Sequence, residues 1–336
     1  MKNSAEAKPA NYARNVLSFL NNNIGLAAIV IISIMFYIIE PNFFGKANLQ
    51  NLLSDTAPLL LMATGITFVL ILGSIDLSLG GVCSVSNVLF IQLYMGIYSS
   101  TQNLVLSAVV SYISVICFGI LSGTLLGFIH VHLKVPSFIA SLAFMLIWDS
   151  IALVITSSPV SLPKALWGGI NWYTIAIGVV GFPLLLAIIL NVIFYIMQSR
   201  MPLGKYIFAA GGNERAARVM GVPVKKAKMI VFILMGMCSA LAGIFLAAKL
   251  QSSDPNVGSS FTLLTIASAV VGGTALSGGK GNVLQTIIGV FVVMIIQNGM
   301  NMIGVDVYWQ DIVFGAIILA AVVLTTDRSG RDIIIK

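Results

Sequence analysis

Charge is what this chain most lacks. Lysine, arginine, aspartate and glutamate make up 9% of its 336 residues, against about 25% in a soluble domain. That excludes a surface covered on all sides by water. With 58% hydrophobic residues and a mean hydropathy of +1.02, the chain reads as an integral membrane protein. Alternating polarity is missing as well. Runs such as "IGLAAIVIISIMFYII" do not switch residue by residue, which excludes a β-barrel built from alternating segments of about ten residues. The expected class is an all-α integral membrane protein.

Cysteine and histidine are scarce too. Cys83, Cys117 and Cys238 lie in or beside apolar segments and read as small packing residues, not disulfide partners. His130 and His132 have no acids or cysteines near them in sequence, so they read as interfacial polar residues and no metal is expected. No nucleophile with an adjacent base is evident, so no catalytic residue is assigned. "GGTALSGGKG" (272–281) approaches a phosphate-binding loop. However, Thr274 stands at the first-glycine position and Gly281 replaces the final hydroxyl residue. The chain therefore binds no nucleotide cofactor, and any energy must come from elsewhere. The first apolar run ends at Glu40-Pro41 without a small-residue cleavage site, as a retained helix does.

What is present is a series of apolar runs near the roughly 17–25 residues that cross a bilayer. Ten spans are expected: 24–39, 57–73, 77–97, 104–130, 136–156, 173–197, 229–250, 262–277, 283–304 and 310–326. With the N-terminus inside, every basic residue except Lys46, Lys164 and Lys249 falls in a cytoplasmic segment, a strong positive-inside bias. Because the +7 charge gathers at helix ends, no nucleic acid is expected as a partner. The organisation is thus a cytoplasmic segment 1–23, a transmembrane body 24–326 and a cytoplasmic tail 327–336. Tyr12, Val16, Leu17 and Leu20 repeat at helical spacing, as in a short helix lying on the membrane surface.

One loop stands out. Residues 198–228, "QSRMPLGKYIFAAGGNERAARVMGVPVKKAK", hold many of the basic residues. Gly211-Gly212 permits a tight turn, Asn213 is a good N-cap, and Glu214 suits the positive end of a helix dipole. Gly221 can close the helix and Pro223 prevents its continuation. A helix of about two turns is marginal alone, so it needs the membrane body or a partner protein to pack against.

"PNFF", "GITFVLILGSIDLSLG", "VPSFIASLAFMLI", "GKYIFAAGGNERAARVMGV", "VVGGTALSGGKGNVLQTIIGV" and "QNGMNMIGVDVYWQDIVFGAIILAAV" follow one another from about residue 41 to 326. In that order and spacing the chain resembles the permease subunits of bacterial ABC importers for ribose and similar sugars. The resemblance implies a ten-helix, type II ABC importer-like fold in the inner membrane, both termini cytoplasmic. It implies pairing with a second copy or close paralogue, two ATP-binding-cassette ATPase subunits below and a soluble substrate-binding protein outside. It also implies that 211–221 is the coupling helix, carried by Gly211, Gly212, Asn213, Glu214, Ala217, Arg218 and Gly221. Three departures bear on the solute: Ser74 for a usual glycine, Leu264 or Thr265 for a common acid, and Trp148-Asp149 for a frequent basic residue. Nucleosides or a furanose signal are the alternatives to a monosaccharide.

"FVLILGSIDLSLGGV" (68–82) breaks an apolar stretch with glycines, serines and an acid. Irregular backbone at membrane depth is tolerated only against protein or a water-filled cavity. The stretch is therefore expected to end one helix and start another, with Asp76 or Ser78 as cap, near the translocation path. Asp149 lies deep in span 136–156 and should face the bundle. Asn298 and Asn301 share a helical face and either line the path or join helices. At an offset of 199 residues, Gly73, Leu77, Ser78 and Gly80 meet Gly272, Leu276, Ser277 and Gly279, a second interruption of similar type. An ion-coupled transporter would need ion-coordinating acids within its spans, and Asp149 and, beside a span, Asp76 are candidates.

Overall fold

In the computed structural model residues 24–325 are described. The surface helix expected before residue 24 and the tail after 326 lie outside them. The helices are α1 (Ile24–Ile39), α2 (Lys46–Ile71), α3 (Leu79–Thr101), α4 (Leu104–Val131), α5 (Ser137–Ile155) and α6 (Phe182–Arg200). They are followed by α7 (Pro202–Gly212), α8 (Glu214–Val219), α9 (Val224–Leu250), α10 (Ser259–Val271), α11 (Val283–Met302) and α12 (Val307–Thr325). Among the described residues seven helices are long and apolar enough to cross a membrane, and α1, α10 and α12 are shorter apolar helices. Together they make the expected ten. Two-residue strands β1 (Val160–Ser161), β2 (Ala176–Ile177), β3 (Val180–Gly181) and β4 (Ser252–Ser253) pair as β1–β4 and β2–β3, both antiparallel.

Helix α2 is the axis. Every residue from Thr56 to Ile71 is buried, so this helix is apolar on all sides because neighbours surround it. Helices α6, α9, α10 and α11 pack around it. On the flank, α4 crosses α9 through small residues. A Cβ on Gly123 would lie 2.2 Å from the Phe232 carbonyl oxygen, and one on Gly236 2.2 Å from that of Gly119. Close backbone approach of this kind holds helices together where lipid offers no hydrophobic drive.

Three spans differ from expectation. Helix α2 begins at Lys46, not 57, with Pro58 inside it. Pro58 has the look of a helix start, yet Leu52 is buried and Asn48 bonds Asn298, so the preceding turns are held by neighbours. The span expected at 173–197 starts at Phe182, because 171–174 form a 3-10 turn and β2–β3 a small hairpin. Helix α10 has 13 residues, about 20 Å, and stops short of the expected 277.

That short helix belongs to a pair of broken segments. Beyond α2 the irregular residues Ser74–Leu77 run along α5. The Ile75 N–H donates to Ser137 Oγ at 3.2 Å, whereas Gly81 lies against Trp148 and Asp149, roughly 16 Å further up α5 at 1.5 Å per residue. From the other end, the Asp254 N–H donates to Asn87 Oδ1 at 2.7 Å and the Gly258 N–H to Ser84 Oγ at 2.9 Å. A Cβ on Gly258 would come within 2.1 Å of the Gly80 carbonyl oxygen. The first turns of α3 and α10 thus meet inside the bundle.

These contacts give a stability prediction. Gly123→Leu should lower the melting temperature sharply and cut the monodisperse fraction on size exclusion, since overpacking costs about 1–3 kcal/mol or more. Gly96→Ala in α3, where nothing lies within 4 Å, should leave stability unchanged or slightly raised, because alanine favours helix by about 1 kcal/mol.

Candidate functional site

Asp76 lies in the irregular segment before α3 and is 3% exposed. Its Oδ1 accepts from the Ser78 N–H at 2.8 Å and from Ser78 Oγ at 2.6 Å. Ser78 occupies the N-cap position, but its side chain makes no cap bond. The carboxylate therefore closes the helix start through Ser78, satisfying groups that lipid cannot. Both residues are buried. Asp149 is half-buried, with Oδ1 3.0 Å from where a Gly81 Cβ would stand, so it sits at the same helix start. Asn298 and Asn301 belong to α11 and make no hydrogen bond to these three among the described residues. They line a cleft at the opposite end of the bundle and also join helices: Asn298 and Asn48 exchange two hydrogen bonds of 2.9 Å, and Asn301 Oδ1 accepts from Gln310 Nε2 at 2.7 Å.

At the end carrying the basic loop, three glycine-rich segments meet. The Gly279 N–H donates to the Ile71 carbonyl at 2.8 Å. A Cβ on Gly278 would lie 2.8 Å from the Gly211 carbonyl oxygen and 2.9 Å from Gly73. The two interruptions seen in sequence are therefore in direct contact, and α7 ends on them. Their likeness is real but local. Gly73 bonds Leu70 O and Ser74 bonds Val69 O; Gly273 bonds Val270 O and Thr274 bonds Ala269 O. The true offset is 200 residues rather than 199. The same pair of bonds closes α8 at Gly221 and α11 at Gly304, so what the two interruptions share is a common helix stop.

Gly211-Gly212 does not form the expected tight turn. Both residues belong to α7, whose start at Pro202 was signalled by a proline in the first helical turn. Beyond it the motif behaves as expected. Asn213 Oδ1 accepts from the Ala216 N–H at 3.0 Å, Ala217 is buried, and Gly221 takes φ +79°. Glu214 accepts from Lys228 Nζ at 2.8 Å and pairs with Arg218 one turn on. Partial burial raises the Glu214 carboxyl, but Lys228 and then Arg218 outweigh it and hold it below the ordinary range. Glu214 thus clamps α8 to α9. What α8 shows to solvent, missed in the sequence reading, is Val219 and Met220, 87% and 82% exposed. A hydrophobic pair following a well-capped two-turn helix was the signal for them.

Residues 48–322 match the family described as "Branched-chain amino acid transport system / permease component". The chain is 34% identical over 310 residues to the ribose import permease protein RbsC of Escherichia coli (strain K12), covering 90% of this chain and 92% of that one. It is 35% identical over 319 residues to the RbsC protein of Bacillus subtilis (strain 168), covering 94% and 95%. To the D-allose transport system permease protein AlsC of Escherichia coli (strain K12) it is 30% identical over 326 residues, covering 96% and 95%. No solved structure matches the chain at a significant level.

The junction separates the two glycines of one motif. A Cβ on Gly211 would lie 1.8 Å from the Ile71 carbonyl oxygen, whereas Gly212 has nothing within 4 Å. Gly211→Ala should lower thermal stability by about 1–3 kcal/mol, and Gly212→Ala should not; thermal unfolding of the two variants in one detergent checks this.

Proposed function

Because this chain belongs to the branched-chain amino acid transport system / permease component family, we propose that it is the membrane-spanning subunit of an ATP-driven importer for a ribose-like monosaccharide. Although the family description names amino acids, relatives named for ribose and allose align over nine-tenths or more of the chain. That favours a sugar over a nucleoside or furanose signal. Asp76 is committed to Ser78, which leaves Asp149 as the one acid of the two without a described partner and disfavours ion coupling.

The observation that carries the reading is the tip of α8. Val219 and Met220 stand exposed on a capped and clamped helix, at the end of the bundle with the most basic loop. An apolar pair there is a surface for a protein partner. The partner fitting it is an ATP-binding-cassette ATPase, which would bind and hydrolyse the ATP while this chain performs no covalent chemistry. Displacing α8 would move α7, and with it the glycine junction that holds the end of α2 and both irregular segments. The start of α3 and the end of α10 lie next along the chain, so the push would reach the bundle interior. A second copy or close paralogue would complete the path, and a soluble binding protein would deliver sugar at the opposite end. The two chain ends and the basic loop would face the cytoplasm.

Affinity purification from native membranes should recover an ABC ATPase with the wild-type chain. The double variant Val219→Asp, Met220→Asp should lower that recovery about tenfold or more, as loss of a buried hot spot does, at unchanged chain yield. Vesicles loaded with ATP should take up labelled D-ribose. Equal ATPase recovery in the variant, or uptake driven by an ion gradient without ATP, would overturn the reading.

A further inference from the structure

At the end of the bundle away from the basic loop, α2, α9, α10 and α11 part around a cleft of about 200 Å³. Its polar lining comes from three helices: Asp55 of α2, Lys249 of α9, and Gln297, Asn298 and Asn301 of α11, with Phe261 of α10 beside them. Asp55 and Lys249 form an ion pair, each side chain about a third exposed. Ionised groups on a membrane bundle face the bundle interior or water, not lipid. The pair therefore marks the cleft as wet, and its charges cancel.

The hydrogen-bonding capacity is only partly used. Asn298 is occupied by Asn48. Asn301 spends its oxygen on Gln310, and among the described residues its NH₂ has no hydrogen-bond partner. Gln297 is half-buried, and among the described residues its amide has no hydrogen-bond partner. The cleft thus presents a carboxylate acceptor, an ammonium donor and two amides with unspent groups, beside an aromatic ring.

We propose that this cleft receives a single neutral polyhydroxylated ring, a monosaccharide, before it enters the bundle; the proposal rests on the import reading. Each sugar hydroxyl donates and accepts at once, which matches mixed donors and acceptors better than a lining of one kind. A volume of about 200 Å³ is below the roughly 300–1,000 Å³ of pockets for drug-sized ligands, which limits the occupant to something of ring size. Zero net charge in the ion pair favours a neutral solute. Val257 and Phe261 of the lining flank Gly258, which packs on Gly80 at the start of α3. A solute passing inward from the cleft therefore meets the joined starts of α3 and α10.

The full chain in nanodiscs, probed with D-ribose and separately with D-allose by saturation-transfer difference NMR, tests this. Saturation of at least one sugar is expected. Gln297→Leu should weaken the apparent Kd about three- to tenfold, as loss of one hydrogen bond does. Val257→Phe, which fills the cleft and removes no hydrogen bond, should abolish the signal, both variants keeping the wild-type melting temperature. Absence of a signal for both sugars with the wild-type chain overturns the proposal, as does Gln297→Leu binding like wild type. If an ATPase copurifies and ATP drives ribose uptake while both variants behave as wild type, the cleft is wrong and the import reading stands. If ribose binding depends on Gln297 but no ATPase accompanies the chain, the cleft stands and the import reading falls.

Discussion

The carbonyl of Ile71 closes α2 deep among packed helices, and its hydrogen-bond partner is the Gly279 N–H at 2.8 Å. A peptide group left unpaired in such surroundings costs several kcal/mol, so this bond fixes both where α2 ends and where the chain after α10 turns. It forms only because the segments beside it carry no side chains. A Cβ on Gly211 would invade the same carbonyl, and one on Gly278 would strike the Gly211 backbone. Three parts of the chain, distant in sequence, are thereby joined backbone to backbone.

A seam of buried polar side chains extends the same logic. Asn191 Nδ2 donates to Thr64 Oγ1 at 2.8 Å and to the Val283 carbonyl at 3.1 Å. Gln198 Nε2 donates to the Gly281 carbonyl and its Oε1 accepts from the Val283 N–H, while Thr67 and Thr286 hydroxyls meet at 2.8 Å. The seam ties α6 and α2 to the start of α11, where the irregular segment has left backbone groups unsatisfied. Such bonds are individually modest in a membrane, averaging about 0.6 kcal/mol. Their role here is to fix position, since they hold the end of the loop 272–282 at Gly281 and Val283.

Most of the fold was legible in sequence because apolar length and helix punctuation are local properties. The α8 motif was readable almost residue by residue: Asn213 caps, Ala217 anchors and Gly221 stops the helix. Misreadings arose where a neighbour overrides the local signal. Pro58 looked like a beginning and lies inside α2. Residues 173–181 are apolar enough for a span, yet they fold as a turn and hairpin. Helix α10 was expected to reach 277 and stops at Val271, where Gly272 packs on the Gln285 and Thr286 backbone. Asp149 was placed at the bundle by its charge alone, while its neighbour Gly81 could not be named. Val219 and Met220 passed unnoticed because their meaning lies in exposure, which composition does not report.

By itself the sequence determined a greasy, ten-helix membrane body with one basic, well-capped surface helix, since hydropathy, charge placement and capping act within a few residues along the chain. Only the tertiary structure decided that the two glycine-rich interruptions touch and that α3 and α10 begin against each other. It also decided that Asp76 serves Ser78, whereas Asn298 and Asn301 open on the far cleft. The physical reason is that each of these depends on which backbone can approach which. A glycine states that an approach is possible, but the partner that uses it comes from elsewhere in the chain.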